Sequence, residues 1–292
     1  MRIAVVVPSL TAPPSLRSLL ASLAAQSTAP VATVVVYQGP PQGHQRLVAW
    51  QAEFDFMIAT CAPGLSRARN AGIRAIETPW DAVAIPDDDI AYGPDTMERM
   101  IEAFEPGGDV IAGFVTSDAG TTRVRFLTVR TVLDTSTIWR GAMEAGLVIS
   151  RRVLDGVGGF NENLGLGAQT PWQSGEGTEF LIRAMKAGFT VVFDPRVVLV
   201  EHAAGAAEQD LHARKRKARL YARGTGRVYR TQLSAARCCV LAVRSFGAWC
   251  LHVPRGRGDK TAVSWQVLVG RLEGLAGVTL RGGPTPRCQA AS

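Results

Sequence analysis

The feature that most constrains the fold is an alternation of strand-length apolar runs with helical segments over the first 115 residues. The expected elements are, in chain order, strand 3–7 and helix 14–25, strand 31–37 and a polar segment, strand 54–59 and helix 65–76, strand 82–86 and helix 95–104, and strand 109–115. This alternation is typical of βαβ units. It predicts an α/β fold with a mainly parallel sheet flanked by helices.

The pattern changes after residue 120. The sequence there predicts β-rich segments near 122–130 and 143–149, a glycine-rich turn at 156–167, a helix near 176–187 and a strand pair near 190–200. A strongly basic helical stretch begins after about residue 205. We therefore expect an α/β domain over 1–205 and a basic helical C-terminal region over 206–292.

The net charge of +7 is unevenly distributed. Residues 1–200 hold 16 Lys and Arg against 20 Asp and Glu, which gives −4, whereas residues 201–292 hold 16 against 5, which gives +11. A basic appendage on a mildly acidic domain indicates an anionic partner, either lipid headgroups or nucleic acid. The alternative is a solvated arginine-rich face. The densest basic cluster is Arg214, Lys215, Arg216, Lys217 and Arg219.

No segment predicts export or a membrane span. Pro8 breaks the first apolar run before it reaches the length of a signal-peptide core. Charged residues interrupt both apolar stretches of the C-terminal region, so neither predicts a transmembrane helix. The second stretch should present one apolar face, formed by Trp265, Leu268, Leu272 and Leu275. The five cysteines lack CxxC spacing, which favours unpaired thiols in a reducing compartment.

Three adjacent aspartates, Asp87, Asp88 and Asp89, directly follow strand 82–86. Ligands of such sheets bind at the carboxyl ends of the strands. In an extended segment Asp87 and Asp89 face one way and Asp88 the other, and a shared divalent cation would relieve their repulsion. The alternative is a solvated acidic loop that also caps the helix after Pro94.

Five segments together resemble family 2 glycosyltransferases of the GT-A fold. They are VVVPSL at 5–10, GLSRARNAGI at 64–73, IPDDDI at 85–90, EAGLVISRRVLDGVGGFNENLG at 144–165 and GEGTEFLIRAMKAG at 175–188. Their order and approximate spacing match the family over the first 200 residues. The resemblance implies transfer of a hexosyl or deoxyhexosyl group from a nucleotide-sugar donor, with inversion, to a glycan or lipid-linked acceptor.

The resemblance also implies a Mn²⁺ or Mg²⁺ cofactor. Asp87 and Asp89 match the Asp-x-Asp element that holds a cation against the donor diphosphate, with Asp89 as the direct ligand. Asp87 would face the nucleoside ribose or a metal-bound water, and Asp88 is a further donor-site residue. His202 matches the position of an additional metal ligand, although a structural role at the end of a strand explains it as well.

Other donor-site residues follow from the same resemblance. Pro8 and Leu10 end the first strand where family members contact the nucleobase. Arg67, Arg69 and Asn70 lie in the first turns of a helix, where they would hold phosphate oxygens unless they are ordinary surface residues. The second strand departs from the family because Tyr37 and Gln38 stand where an acidic residue is usual. Tyr37 either stacks on the base or packs.

An inverting transfer needs a base to remove the proton of the acceptor hydroxyl. The family places an acidic pair at the start of a helix, but this chain has Glu176 followed by Gly177. Glu176 is therefore the leading candidate and Glu179 the reserve. The alternative is that Glu176 only interacts with the helix N-terminus, which would lower its pKa. The expected acceptor-site residues are Gly159, Asn161 and Trp172, the last by stacking on a sugar or by packing.

The sequence thus predicts a metal-dependent glycosyltransferase in the cytoplasm, held peripherally on the inner face of the plasma membrane. Two alternatives remain open. Gly177 and Tyr37 would also fit a sugar-nucleotide-binding protein that has lost catalysis. The basic tail would fit a nucleic-acid-binding scaffold, but it has no recognised reading motif and few aromatics arranged for base stacking, so we expect no nucleic-acid partner.

Overall fold

A computed structural model describes residues 1–105, 107–122, 124–202, 210–250, 258–280 and 283–284. Its described strands form one central sheet: β1 (Ile3–Ser9), β2 (Ala32–Tyr37), β3 (Met57–Thr60), β4 (Ala82–Ala84), β5 (Ile90–Tyr92), β6 (Val110–Ser117), β7 (Thr131–Val132), β8 (Leu147–Ser150) and β9 (Val191–Glu201). The helices are α1 (Pro14–Ala24), α2 (Pro41–Trp50), α3 (Leu65–Arg74), α4 (Thr96–Phe104), α5 (Ile138–Gly141), α6 (Arg151–Val157), α7 (Glu176–Lys186), α8 (Leu211–Gln232), α9 (Ala235–Cys250) and α10 (Gly258–Ala276), with a 3₁₀ turn at Glu144–Gly146.

The strand order is β3-β2-β1-β4-β8-β6-β9-β5, and β7 pairs with β9. The first four strands are parallel, as the βαβ pattern predicts. The second half is mixed: β8 runs antiparallel between β4 and β6, β5 and β7 run antiparallel to β9, and β6 is parallel to β9. Strand β8 begins at the edge of the sheet where β6 ends and runs back between β4 and β6. It is therefore antiparallel to both.

Several predicted elements differ from the structure. The polar segment after β2 forms α2, which begins at Pro41, a position where the fixed φ of proline suits a helix. The β-rich segment expected at 122–130 contains no strand in its described residues, and β7 follows it. The expected strand pair at 190–200 is the single strand β9. Its pairing with β6 skips residues 195–197, where Pro195 has no N–H for the ladder.

Close packing at Gly72 sets the position of α3 on the sheet. A Cβ atom at Gly72 would lie 2.3 Å from Cγ1 of Val6 and 2.7 Å from Cγ2 of Val36. Only glycine lets the helix backbone approach β1 and β2 this closely. As a result α3 lies directly against the central strands, with its N-terminal turn beside the carboxyl ends of β1 and β2.

Helix α10 packs against α8 through a face that contains two glycines. The buried face of α10 consists of Leu268, Gly270, Glu273 and Gly274, whereas Trp265 and Leu272 are 44% and 47% exposed. A Cβ atom at Gly270 would lie 2.5 Å from the backbone oxygen of Arg219, so α10 and α8 pack backbone to backbone. The predicted apolar face is therefore only partly buried: Leu268 lies inside, whereas Trp265 and Leu272 stay outside because the glycines set the close approach to α8.

Glu273 of α10 forms ion pairs with two arginines of α8. Its carboxylate is buried and accepts hydrogen bonds from Arg219 at 2.7 and 3.0 Å and from Arg223 at 2.6 and 3.2 Å. Burial acts to raise the pKa of Glu273, but the two guanidinium groups outweigh it and hold that pKa at about 2. Arg219, expected in a solvent-facing basic cluster, is thus turned into the protein.

Within the described part of the chain, no helix has both the length and the apolar character needed to cross a membrane. The predicted domain boundary between residues 205 and 206 lies outside the described residues, as does Cys288. The cysteines at 61, 238, 239 and 250 are free thiols.

Candidate active site

The three aspartates form the turn between β4 and β5, and each makes a different contact. Asp88 accepts a hydrogen bond from Oγ of Ser9, at the end of β1, with an O···O distance of 2.5 Å. Asp87 accepts one from Arg69 at 3.2 Å. The backbone oxygen of Asp89 accepts one from the backbone N–H of His202 at 2.7 Å, which ties the turn to the end of β9.

The Asp88 carboxyl is the one turned into the protein. Burial raises its pKa to about 6, and the neighbouring charges of Asp87 and Asp89 add to that shift, while the hydrogen bond from Ser9 opposes it. Asp88 therefore fastens the turn to β1. Asp87 contacts Arg69 of α3 instead, so these two neighbouring carboxylates bind different elements.

Arg69 connects the acidic turn to helix α7. Its side chain is 1% exposed and donates to Asp87 Oδ1 at 3.2 Å and to Glu176 Oε1 at 3.4 Å. The guanidinium carbon lies 5.5 Å from the centre of the Phe160 ring. A buried guanidinium is stable here because two carboxylates from different elements neutralise it. Arg69 therefore brings two predicted site regions, which lie 18 and 107 residues after it in the sequence, to one point.

Glu176 opens α7 and is buried against this guanidinium. Burial raises its pKa to about 7; the Glu144 carboxylate also raises it, whereas Arg69 and a backbone N–H at the helix start lower it. The helix N-terminus is therefore not the dominant influence on this carboxyl group. A group whose pKa lies near neutral pH is well matched to general-base catalysis.

Glu179, the reserve candidate, faces α8. Its carboxylate accepts hydrogen bonds from Nε of Arg183 at 2.9 and 3.0 Å and from Gln232 at 3.1 Å. Arg183 lies on α7 itself, whereas the bond from Gln232 links α7 to α8. The structure thus assigns different surroundings to the two glutamates and joins Glu176 to the acidic turn.

The β5–β9 pairing joins the backbones of two predicted metal ligands, Asp89 and His202. His202 places Nδ1 2.9 Å from Oδ1 of Asp118, and its backbone contacts Asp89. Among the residues that the structure describes, no three acidic, histidine or cysteine side chains are grouped so as to hold a metal. The carboxylates of Asp87 and Asp89 are hard oxygen donors of the kind that Mn²⁺ and Mg²⁺ accept, with phosphate oxygens and water filling the other positions.

Comparison with known proteins identifies the family. The family model described as "Glycosyltransferase like family 2" matches residues 1–222. The chain belongs to the family 2 glycosyltransferases. Within the chain, the matched segment runs past the predicted boundary at 205 into α8, and it contains the acidic turn, Arg69 and both candidate bases, Glu176 and Glu179.

Solved structures share the fold of this glycosyltransferase. A mannosyltransferase from Pyrobaculum calidifontis, PcManGT, in complex with GDP-Man and Mn²⁺, matches 94% of the chain and 87% of its own length, with 16% identity and a TM-score of 0.63. TarS 1-349 from S. aureus matches 96% and 93%, with 14% identity and a TM-score of 0.58, and it is also solved with UDP-GlcNAc. No curated protein sequence matches the chain. The GT-A fold predicted from the sequence is confirmed.

Asn70 holds the glycine-rich loop of the glycosyltransferase in place. Its Nδ2 donates to the Phe160 backbone oxygen at 2.8 Å, and its Oδ1 accepts from the Phe160 N–H at 2.8 Å. A Cβ atom at Gly159 would lie 2.4 Å from that Oδ1, so glycine is required there. Asn70, predicted to bind the donor, and Gly159, predicted to bind the acceptor, thus form one structural clamp beside Arg69.

The neighbouring predicted residues lie on the outer side of this clamp. Arg67 donates to Glu162 at 3.2 Å and is about one-third exposed. Asn161 is exposed and closes a turn by accepting from the N–H of Asn163 at 3.1 Å. Trp172 is half-buried, with the Arg227 guanidinium 5.5 Å from its ring.

The predicted nucleoside side of the glycosyltransferase lies at the ends of β1 and β2. Pro8 is buried in register with Val36, and Leu10 is half-buried just after β1. Tyr37 is buried, its hydroxyl donates to Pro40 O at 2.8 Å, and a Cβ atom at Gly43 would lie 2.0 Å from that hydroxyl. Of the two alternatives for Tyr37, the structure therefore favours packing. The ring also lines an open pocket of about 480 Å³ with Gln38, His44, Thr60 and Cys61.

The sequence analysis missed two residues of this site. Ser9, which binds Asp88, carried no signal except its place at the end of β1. Glu144 opens the segment EAGLVISRR, which is part of the family resemblance, but was given no role. The signal that could have identified it is Gly177. The family usually has an acidic residue at that position, so its absence suggests that an acid from another part of the chain takes its place.

Proposed function

We propose that this glycosyltransferase moves a sugar from a nucleoside-diphosphate donor to a glycan or lipid-linked acceptor, with inversion and with dependence on Mn²⁺ or Mg²⁺. The observation that carries the proposal is the bridge formed by Arg69 between Asp87 and Glu176. It holds an acidic turn suited to a metal-bound diphosphate beside a carboxylate suited to a base. The complexes of PcManGT with GDP-Man and Mn²⁺ and of TarS with UDP-GlcNAc support the donor class.

The donor side rests on Asp89 and Asp87, with His202 as a further ligand. A bound divalent cation would neutralise the negative charge that grows on the departing nucleoside diphosphate. Asp88 and Ser9 hold the turn that carries these ligands. The Asp118 carboxylate near Nδ1 fixes the orientation of the His202 ring, which is the usual arrangement behind a histidine that binds metal through its other nitrogen.

On the acceptor side, Glu176 takes the proton of the attacking hydroxyl. The acceptor oxygen forms the bond to the anomeric carbon, the bond from that carbon to the diphosphate breaks, and its electron pair leaves with the nucleoside diphosphate. Attack from the face opposite the leaving group inverts the anomeric configuration. Arg69 keeps Glu176 in position and separates its charge from that of Asp87.

We also propose that the C-terminal helices rest on an anionic membrane surface at the cytoplasmic side. Val240, Val243 and Phe246 of α9 are 56%, 69% and 52% exposed and recur every three residues, which supports one apolar face. Lysines and arginines of α8 add positive charge. Basic residues near an anionic surface contribute about 1 kcal/mol each, and an apolar helical face adds burial at the headgroup boundary.

A thermal-shift screen of nucleoside diphosphates and nucleotide sugars, with and without Mn²⁺, tests the donor proposal. A ligand that binds only the native state raises the melting temperature. We expect at least one nucleoside diphosphate to give a shift that requires Mn²⁺, and Asp89→Asn to lose the Mn²⁺-dependent part. Asp55→Asn, an exposed aspartate on the surface, is the matched control and should keep it. An unchanged metal-dependent shift in Asp89→Asn would refute the metal assignment.

Turnover tests the reaction itself. Glu176→Gln should lower the turnover number by about 10²–10⁴-fold, with donor affinity little changed. NMR of the product made from an α-linked donor should show a β-linked sugar. A product with retained configuration, or full activity in Glu176→Gln, would contradict the proposed mechanism.

A further inference from the structure

The space beside Gly177 is occupied by the side chain of Glu144. A Cβ atom at residue 177 would lie 2.1 Å from Cγ, 2.8 Å from Cδ and 2.8 Å from Oε1 of Glu144. A Cβ atom essentially never lies closer than 3.0 Å to a non-bonded heavy atom of another residue. The Glu144 side chain in this position and any side chain at residue 177 therefore exclude each other.

The sheet topology explains how Glu144 reaches this place. β8 runs antiparallel to β4 with Ala84 opposite Val148, and the N–H of Ile85 donates to Leu147 O at 3.2 Å. The residues just before β8 consequently lie beyond the carboxyl end of β4, at the edge where the acidic turn begins. Glu144, three residues before Leu147, thus comes to the active-site edge from the opposite chain direction.

The backbone around Glu144 is held by close packing. Gly146, in the same 3₁₀ turn, sits so near β6 that a Cβ atom there would lie 3.0 Å from the Gly113 oxygen and 3.2 Å from Cγ2 of Val115. Ala145 is buried, whereas Glu144 itself is only half-buried. The turn therefore projects one carboxylate toward α7 while its other residues are fixed in the core.

Glu144 and Glu176 form a pair next to a single guanidinium. Glu176 contacts Arg69, which is also shared with Asp87, so two carboxylates already neutralise that cation. Glu144 adds a third negative group, and burial together with Glu144 raises the pKa of Glu176. The negative charge of Glu144 therefore acts on the carboxyl group that would accept the proton.

We propose that Glu144 is the second carboxylate of the transfer site, supplied by the β6–β8 connection into the space that Gly177 leaves open. The inference rests on the function proposed above and deepens it. The pair of Glu144 and Glu176, rather than Glu176 by itself, accepts the proton of the attacking hydroxyl. The half-buried Glu144 meets the acceptor from the solvent side, and Glu176 stays bound to Arg69. The other bond changes are those of the proposed function. The acceptor oxygen bonds to the anomeric carbon, and the nucleoside diphosphate leaves.

A reciprocal exchange of the carboxylate tests this assignment. The variants are Glu144→Gln, Glu144→Ala, Gly177→Asp and the double variant Glu144→Ala with Gly177→Asp, with Glu77→Gln as a control at an exposed glutamate. The reaction followed is release of nucleoside diphosphate from the nucleotide sugar with the largest Mn²⁺-dependent thermal shift, beginning with UDP-GlcNAc and GDP-mannose. Water takes the place of the acceptor in this assay. Donor binding is measured separately by calorimetry.

Glu144→Gln and Glu144→Ala should lower the turnover number at least 10-fold, with the calorimetric dissociation constant for the donor changed less than 3-fold. Gly177→Asp should lose turnover and melt at a lower temperature, because its side chain meets Glu144. The double variant should melt at a higher temperature than Gly177→Asp, close to that of the wild type. Its turnover number should be at least 10-fold higher than that of Glu144→Ala or of Gly177→Asp. A role of Glu144 in folding only would not produce this regain of turnover, since the new carboxylate is delivered from a different element.

Normal turnover in Glu144→Gln, or a double variant no more active than Gly177→Asp, would overturn the assignment while leaving the proposed function intact. The two failures are distinguishable. If the wild-type enzyme binds donors but neither hydrolyses nor transfers any of them, the proposed function is refuted, and the inference falls with it.

Discussion

Replacing Glu176 by glutamine should change how the stability of the enzyme depends on pH. The pKa of Glu176 is about 7 in the folded protein against 4.5 for an ordinary glutamate. Because the folded state binds the proton more tightly, the stabilisation is complete below pH 4.5 and is lost as the pH rises through 7. The wild-type protein should therefore lose free energy of unfolding over this window, and Glu176→Gln, which cannot ionise, should lack that loss.

The magnitude follows from the size of the shift. One pKa unit corresponds to about 1.4 kcal/mol, so the shift of Glu176 corresponds to about 3 kcal/mol. For a chain of this size 1 kcal/mol changes the melting temperature by about 2–4 °C. The difference in melting temperature, Glu176→Gln minus wild type, should therefore grow by about 6–12 °C between pH 4.5 and pH 8.

Thermal melts of both proteins at half-unit pH intervals measure this difference. The Asp88 carboxyl also has a raised pKa, of about 6, but it is present in both proteins and cancels in the subtraction. Glu77→Gln is the control, and its difference from the wild type should stay flat. A flat difference for Glu176→Gln, or one that shrinks as the pH rises, would show that burial and Glu144 do not hold this carboxyl group protonated.

Three further predictions concern the C-terminal helices. Glu273→Gln should lower the free energy of unfolding by about 3–5 kcal/mol, because it leaves two buried guanidinium groups without their carboxylate; the exposed Asp259→Asn should have little effect in the same urea titration. Gly274→Ala should lower it by about 1–3 kcal/mol, because a Cβ atom there would lie 2.2 Å from the backbone oxygen of Arg223, whereas Gly247→Ala meets open space and should not lower it. In liposome co-sedimentation, binding should require anionic lipid, weaken with salt and fall when four clustered basic residues of α8 and Phe246 are replaced, and equal recovery on neutral vesicles would contradict the electrostatic part. The basic residues replaced by glutamine are Arg214, Lys215, Arg216 and Lys217.

Local sequence patterns determined the framework of this protein. Continuous apolar runs predicted β1, β2 and β4, and stretches of helical character predicted α1, α3 and α7, all to within a few residues. Strands that helices cover on both faces are apolar throughout, whereas burial of one helix face imposes a period near 3.6. The ordered motifs then indicated the GT-A fold, which the family match and the fold neighbours confirm. The place of the acidic turn after β4 followed as well, since strand ends define where ligands bind in such sheets.

The C-terminal region shows what spacing leaves open. Trp265, Leu268, Leu272 and Leu275 have the period of one helix face, yet only Leu268 of these four is buried, beside two glycines and Glu273. A period states only that residues share a side of the helix. Which side is buried depends on what packs against it, and here the close approach of α8 selects the glycine side.

The tertiary structure alone decided which charges meet. Arg69 joins Asp87 and Glu176 across 18 and 107 residues of sequence, and Glu144 enters the space beside Gly177 from a strand that runs in the opposite direction. The sequence named most of these residues individually but gave Glu144 no role and ranked Glu179 as a substitute for Glu176. The physical reason is that both features depend on residues far apart in the sequence. The pKa of Glu176 near 7 arises from burial and from nearby charges, and Glu144 reaches the space beside Gly177 through the sheet topology.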